Sequence, residues 1–558
     1  MKTKNIFISF LLGATLFSSG CTDGFDALNS DPNNPDDSRY DFSYSDIAAS
    51  IRNIATYGGA DVHQRAKALS IDVYAQYTGG SGTSRTYAMN DEWQAKYWNS
   101  YYNTWLTTLN IVIKNSAQYE GRDNSIAIAR IWRVYGQAQF TDYFGPAPFP
   151  FSPDDENPDY MPLDKQYELY FKELDEAVKQ FDPKLKFMSG EDQIYWGDMA
   201  AWKRFANTLR LRLALKLSEI DEEACKSQIQ AALAADGGIM TAKDNAAIAG
   251  TTGWGNQYPY YLYQVGWGEK QVLVKSMEKA LTNIGGIALK YTDKEGNPVL
   301  DSKGKVITPT GPAKIDPRGL RMFDPGPADF GYKWAGLIAG QQTEDGDARN
   351  NVGKMSQIFV IPNDSRKTDI FLYSEVCFIM AEIAERFGIN GGKSAKEWYE
   401  EGVKQSFLKW GLVDENGALD TNLVNAYLES TDKNSWGTSA KYDDVVGAGN
   451  TELEKIITQK YIASYPDMSL QIWNDKRRLN LPALDIPQYR NEGYGTYPGG
   501  GDIYNPLNYI QRTVYPQNEK LINESKYNAG VAQLEGGDKT SAPLWWASKK
   551  SNYCTSAK

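Results

Sequence analysis

Histidine is almost missing: His63 is the only one in 558 residues, which excludes a His-rich zinc site and any pair of independent His-based centres. A single catalytic triad stays arithmetically open, but the chain holds no GxSxG elbow, no P-loop and no HExxH. Cysteine is nearly as scarce. Besides Cys21 there are Cys225, Cys377 and Cys554, which allow at most one internal disulfide, so crosslinks do not build this fold. Past the first twenty residues no run approaches the ~20 apolar residues that a spanning helix needs. Positive charge is also in deficit: without residues 1–20 the chain has 57 basic against 70 acidic side chains, a formal charge of −13, which argues against nucleic acid as a partner.

What is there begins at the N-terminus. Lys2 and Lys4 precede an apolar run from Ile6 to Phe17, then Ser18, Ser19, Gly20 and Cys21, the pattern of an export signal over residues 1–20. The small residues before Cys21 resemble the lipobox of bacterial lipoproteins, with Ser18 where that motif usually has Leu. The resemblance implies lipidation at Cys21. Acyl chains contribute roughly 0.8 kcal/mol per buried methylene, enough for stable anchoring without a spanning helix. Residues 21–40, rich in Asp, Asn and Pro, read as a tether. Asp31 and Asn33 in the NSDPN stretch could ligate calcium, but Asp, Pro and Asn are ordinary turn formers, and no cofactor is expected.

The body, residues 41–558, is long enough for a large core. In 164–181 the apolar residues Tyr167, Tyr170, Phe171, Leu174, Ala177, Val178 and Phe181 make one stripe at 3.6 spacing, and Asp182 and Pro183 end it. A second stripe runs from Leu372 to Phe387 and meets Gly388 as its stop. Ser394 with Glu397, and Thr451 with Glu454, have capping-box spacing. The leucines at 209, 211, 213, 215 and 217 alternate like a strand. Yet Leu, Arg, Ala and Lys are strong helix formers and nothing between them is β-branched, so this segment is read as a helix buried on more than one side. The helical scaffold is thus expected mainly over 98–235 and 369–478. Residues 236–368 and 479–558 are rich in Gly, Pro and aromatics and read as loop-rich, partly β insertions, where binding usually sits.

A series of motifs in order carries a family resemblance: NSDPN from Asn29, W..YY from Trp98, ARIWRVYGQAQFTDYFGPAPF from Ala129, and WGDMAAWKRFANTLRLRLALKLS from Trp196. FLYSEVCFIMAEIAERFG from Phe371, IITQKYIAS from Ile456, IWNDKRRLNLP from Ile472, RTVYPQNE from Arg512 and the pair Trp545 and Trp546 complete it. The chain resembles SusD/RagB outer-membrane lipoproteins, the nutrient-binding partners of SusC-like TonB-dependent transporters in Bacteroidetes. The resemblance implies a mostly α-helical SusD-like fold on about four tetratricopeptide-like helix pairs, with the loop-rich side holding an oligosaccharide or a peptide. It also implies an outer-membrane location facing the cell surface, although only Asp23 and Asp26 stand where an acidic export run is common. Arg477 and Arg478 could meet an anionic ligand, but a structural pairing at a helix end accounts for them.

Sugar recognition needs flat apolar platforms and planar polar groups. Three loop clusters offer both: Arg85, Tyr87, Asn90, Asp91 and Trp93; then 254–267 with Tyr260 and Trp267; then 329–334 with Trp334. Within DEWQAKYWNSYYNTW, residues 91–105, the spacing of Trp98, Tyr102 and Trp105 predicts one packed helix face, leaving Trp93 as the ring best placed to face a sugar. Glycan capture for a transporter is the leading function. A peptide or other nutrient binder on the same scaffold is the alternative, followed by a glycoside hydrolase among 70 acidic residues, or a transporter lid without a ligand site. Affinity gels with a glycan panel test the first loop: Trp93→Ala should lose the retardation that the unaltered protein shows, and unchanged retardation would place the site elsewhere.

Overall fold

The computed structural model describes residues 42–556 except 80–86, 88–89, 156, 186–191, 252–256, 267–270, 289–296, 299, 301–302, 307–313, 325, 328–331, 342–351, 357–358, 360–365, 488–508 and 548–551. Its framework is helical. Helix α1 spans Ser43–Ala55. Helix α2 runs over 60–74 and is π-helical across His63–Ile71. Helix α3 joins Asp91–Ser100 to Thr107–Ser116 through a π-helical stretch at Tyr101–Leu106. Then come α4 (Asp123–Phe144), α5 (Leu163–Gln180), α6 (Met199–Ala214) and α7 (Glu222–Ala234). After the loop-rich middle follow α8 (Tyr373–Phe387), α9 (Ala395–Lys409), α10 (Glu452–Ala463), α11 (Ser469–Leu479) and the short C-terminal pair α12 (Gln517–Ile522) and α13 (Glu524–Val531). Each helix from α3 to α7 packs on its sequence neighbour, as does α8 on α9, so the framework is a stack of helix pairs.

Local chemistry sets these boundaries. Both capping boxes form: Ser394 and Thr451 accept from the backbone N–H of Glu397 and Glu454, whose carboxylates reach back to the cap N–H groups. Gly388 ends α8 at φ 67°, the left-handed conformation a side chain would disfavour. The alternating leucines 209, 211, 213, 215 and 217 are indeed helical, with a final 3-10 turn at Leu215–Leu217, and all five are buried because neighbours cover several sides of α6. Sheet is sparse. Ala246–Ala249 pairs antiparallel with Lys367–Phe371, and β1 (Ala147–Pro148) pairs with β2 (Tyr160–Met161) to close the α4–α5 connection. In the middle region Leu300 bridges Val306, and Gly326–Pro327 pairs antiparallel with Tyr332–Lys333.

Aromatic rings fill the core where α3 meets α4. Tyr101 stacks on Phe140 with centroids 4.3 Å apart, and its hydroxyl donates to Gln137 Oε1 at 2.8 Å. Tyr97, Trp98 and Trp105 are buried beside it, while Tyr102 is half-buried. Tyr101 lies three residues after Trp98 and four before Trp105, so helical spacing sets it on their side of α3, where the π stretch begins.

Charges lock the stack. Arg478 of α11 grips Glu382 of α8 through both guanidinium nitrogens and Asp475 at 2.9 Å, all nearly inaccessible to water. Its neighbour Arg477 makes no such pair. It donates to the carbonyls of Asp142 and Gln511, each at 2.7 Å, and lies 3.7 Å over the Trp473 ring, while burial pushes its pKa down to about 9. Burial pushes the Glu382 carboxyl up, but Arg478 more than reverses this and holds it well below its ordinary 4.5. The unfolded chain therefore protonates this carboxyl before the folded protein does. Glu382 should contribute stability above pH 4.5 that acid removes as the pH falls below that value. Glu382→Ala leaves a buried guanidinium short of its partner and should cost about 3–5 kcal/mol in denaturant unfolding at neutral pH, a difference that narrows in acid.

Candidate ligand cleft

Three of the rings singled out from the sequence are buried. The Tyr87 side chain is 3% exposed and its hydroxyl donates to the Val73 carbonyl at 3.0 Å. Tyr260, at 1%, donates to Asp72 Oδ2 at 2.5 Å and accepts from Lys67 Nζ at 2.6 Å. Trp334, at 3%, packs edge-on to Phe323. Tyr260 lies on a short helix, Pro259–Gly266, where the sequence read a loop, and all three rings pack inward. Arg85, Trp267, Cys21 and the NSDPN stretch lie outside the described residues.

The other three residues start α3. Asn90 is its N-cap, its side chain accepting from the Glu92 N–H at 3.1 Å. Asp91 accepts from the Gln517 N–H at 2.7 Å, which ties the start of α12 to the start of α3. Trp93 is half-buried. On the exposed flank of this turn, Arg65 and Asp61 of the α2 segment pair with Glu92 and Lys96 at 3.2 and 3.1 Å.

One turn further along α3 opens a cleft of about 320 Å³. One wall is α3 itself, with Trp98, Asn99, Tyr102, Asn103 and Thr107. The facing wall is the end of β1 and the loop after it, with Pro148, Pro150, Pro153, Asp155, Asn157 and Pro158, and Glu519 and Asn523 close one end. The proline wall cannot hold itself by its own ladder, because each proline lacks an N–H. Scaffold side chains satisfy its carbonyls instead. Gln137 and Tyr102 donate to Pro148 O at 3.0 and 2.6 Å, Gln166 to Ala147 O at 3.0 Å, and Asn110 to Pro150 O at 2.9 Å. Asn110 is fixed in turn by Arg133, which pairs with Glu173 at 2.5 Å.

The end of the cleft is set by a close approach. A Cβ on Gly530 would stand 2.3 Å from the Tyr160 ring, so only glycine lets α13 lie against β2. Tyr160 donates its hydroxyl to Glu519 Oε2 at 3.0 Å. Burial raises the Glu519 pKa above the ordinary value, with hydrogen bonds from Tyr160 and Trp98 opposing it. Four Asn amides, two carboxylates, a tyrosine ring and several pyrrolidine faces therefore converge on one space. Amides donate to and accept from hydroxyls, carboxylates accept from them, and the rings receive C–H faces. Among the described residues no group of three or more His, Cys, Asp or Glu could hold a metal, and no helix is long and apolar enough to cross a membrane.

The cleft was not among the three sequence clusters. Its signals were the i, i+4 pair Asn99 and Asn103 and the proline spacing of 148, 150, 153 and 158, which mean little until the loop folds back onto α3.

Comparisons with known proteins agree along the chain. Residues 42–284 match the family model described as starch-binding, associating with outer membrane, and residues 314–547 match that of SusD and RagB outer membrane lipoproteins. A SusD homologue from Parabacteroides distasonis is 40% identical, with 93% of this chain and 100% of that one covered at TM-score 0.83. One from Bacteroides vulgatus is 24% identical over 92% and 100% at 0.74, and a chitin-binding SusD homologue from Flavobacterium johnsoniae is 23% identical over 92% and 100% at 0.71. Curated protein sequences gave no match. On its identity to a solved homologue over nearly its whole length, and on both family models, this chain belongs to the SusD/RagB family.

Proposed function

We propose that the protein captures glycans at the outer membrane, anchored through Cys21, and passes them unaltered to a SusC-like TonB-dependent transporter. The observation that carries the glycan reading is the cleft beside α3. It sets a half-buried tyrosine and pyrrolidine faces among four Asn amides on a rigid wall, the composition that hydroxyl-rich rings require. Family membership supports the location and the transporter partner, and the chitin-binding relative supports a polysaccharide ligand class. Capture without turnover fits a site assembled from hydrogen-bonding amides, in which Glu519 is engaged by Tyr160.

A glycan array and affinity gels test this. At least one oligosaccharide should bind, and Tyr102→Ala should weaken it by about tenfold or more, the scale of losing one ring platform. Incubation with the bound polysaccharide should yield no new reducing ends, and sustained product would overturn the non-catalytic reading. Peptide binding with no glycan bound would overturn the ligand class. Cys21→Ser should move the expressed protein from the membrane to the soluble fraction, and a membrane-bound variant would overturn the anchor.

A further inference from the structure

The charge lining the cleft is one-sided. Asp155 and Glu519 are its only described charged groups, and the remaining polar side chains are neutral amides and hydroxyls. The lysines nearby are already engaged. Lys114 pairs with Asp154 at 2.5 Å, and Lys526 pairs with Asp159 at 3.3 Å and donates to the Asn157 carbonyl. Lys520 lines a separate cleft with Val514, Tyr515 and Tyr527, on the other side of α12.

Binding a uronate or sulfate here would set a third negative charge beside two carboxylates, with no free cation lining the cleft among the described residues to receive it. In a partly enclosed space such like-charge contact is weakly screened and acts as rejection of the wrong ligand. An amino group, by contrast, would find two acceptors. Resting on the glycan-capture reading, we infer that this cleft selects against anionic glycans and takes uncharged or amino-bearing chains. The partial burial of Glu519 strengthens the effect, because solvent shields its charge less than that of an exposed carboxylate. Its raised pKa adds a signature: acid neutralises Glu519 ahead of an ordinary glutamate and should relax the exclusion.

The test measures dissociation constants of the full chain for an array of neutral oligosaccharides, glucosamine oligomers, and uronate or sulfated oligosaccharides of matched length. The best uncharged or amino-bearing ligand should bind at least about tenfold more tightly than the best anionic one at low salt, and added salt should narrow the ratio. Asp155→Asn with Glu519→Gln should bring the ratio to within about threefold, while Asn103→Asp, on an exposed position, should widen it. An anionic best ligand overturns the inference and leaves glycan capture standing. A ratio that neither variant moves also overturns it, because the selecting charges then lie elsewhere. If no glycan of any class binds, the capture reading falls and the inference falls with it.

Discussion

Burying a charge is the most expensive thing this fold does, and its architecture follows from how that cost is met. Arg478 sits where α8 and α11 meet, and only the geometry that delivers Glu382 and Asp475 together satisfies it. Arg386 extends the set, bonding Glu382 at 2.9 Å and reaching Glu219 beyond α6. A second linkage runs from Asp142 on α4 to Lys216 at the end of α6 and to Asn474 on α11 at 2.8 Å. Helices from both halves of the chain are thereby fixed in register. Apolar packing alone tolerates sliding and repacking, but a carboxylate that must meet a particular guanidinium does not.

That rigidity reaches the cleft by a short route. The same α4 that bears Asp142 carries Gln137, one turn away, whose amide holds the Pro148 carbonyl. The proline wall has little conformational freedom of its own and is pinned by groups that cannot shift without disturbing the core. A site held this way loses little entropy on binding, which favours capture of a flexible chain.

The helices were legible in the sequence because their signals are local. Caps at Ser394 and Thr451, the stripe of 164–181 and the stop at Gly388 need nothing from the rest of the molecule. The loop rings were not legible in the same way. Tyr87 and Trp334 sit in segments without a period and Tyr260 on a helix of only eight residues, too short for spacing to say which way a ring points, and each is drawn inward by a partner along the chain or by the core itself. The cleft was the least legible feature, since 98–107, 148–158 and 519–523 meet only in the folded protein. The π stretch of α3 was equally hidden, because an extra residue per turn is a response to packing and leaves no mark in propensity.

Helix α3 also separates two tasks. With Tyr97, Trp98, Tyr101 and Trp105 all turned to the core, the opposite face is left to Asn99 and Asn103, side chains exposed to solvent and unconstrained by packing. Substitutions on that face leave the aromatic core untouched. A lineage could rewrite what the cleft reads, one asparagine at a time, while the helix stack keeps the same stability, so diet and scaffold can change on independent clocks.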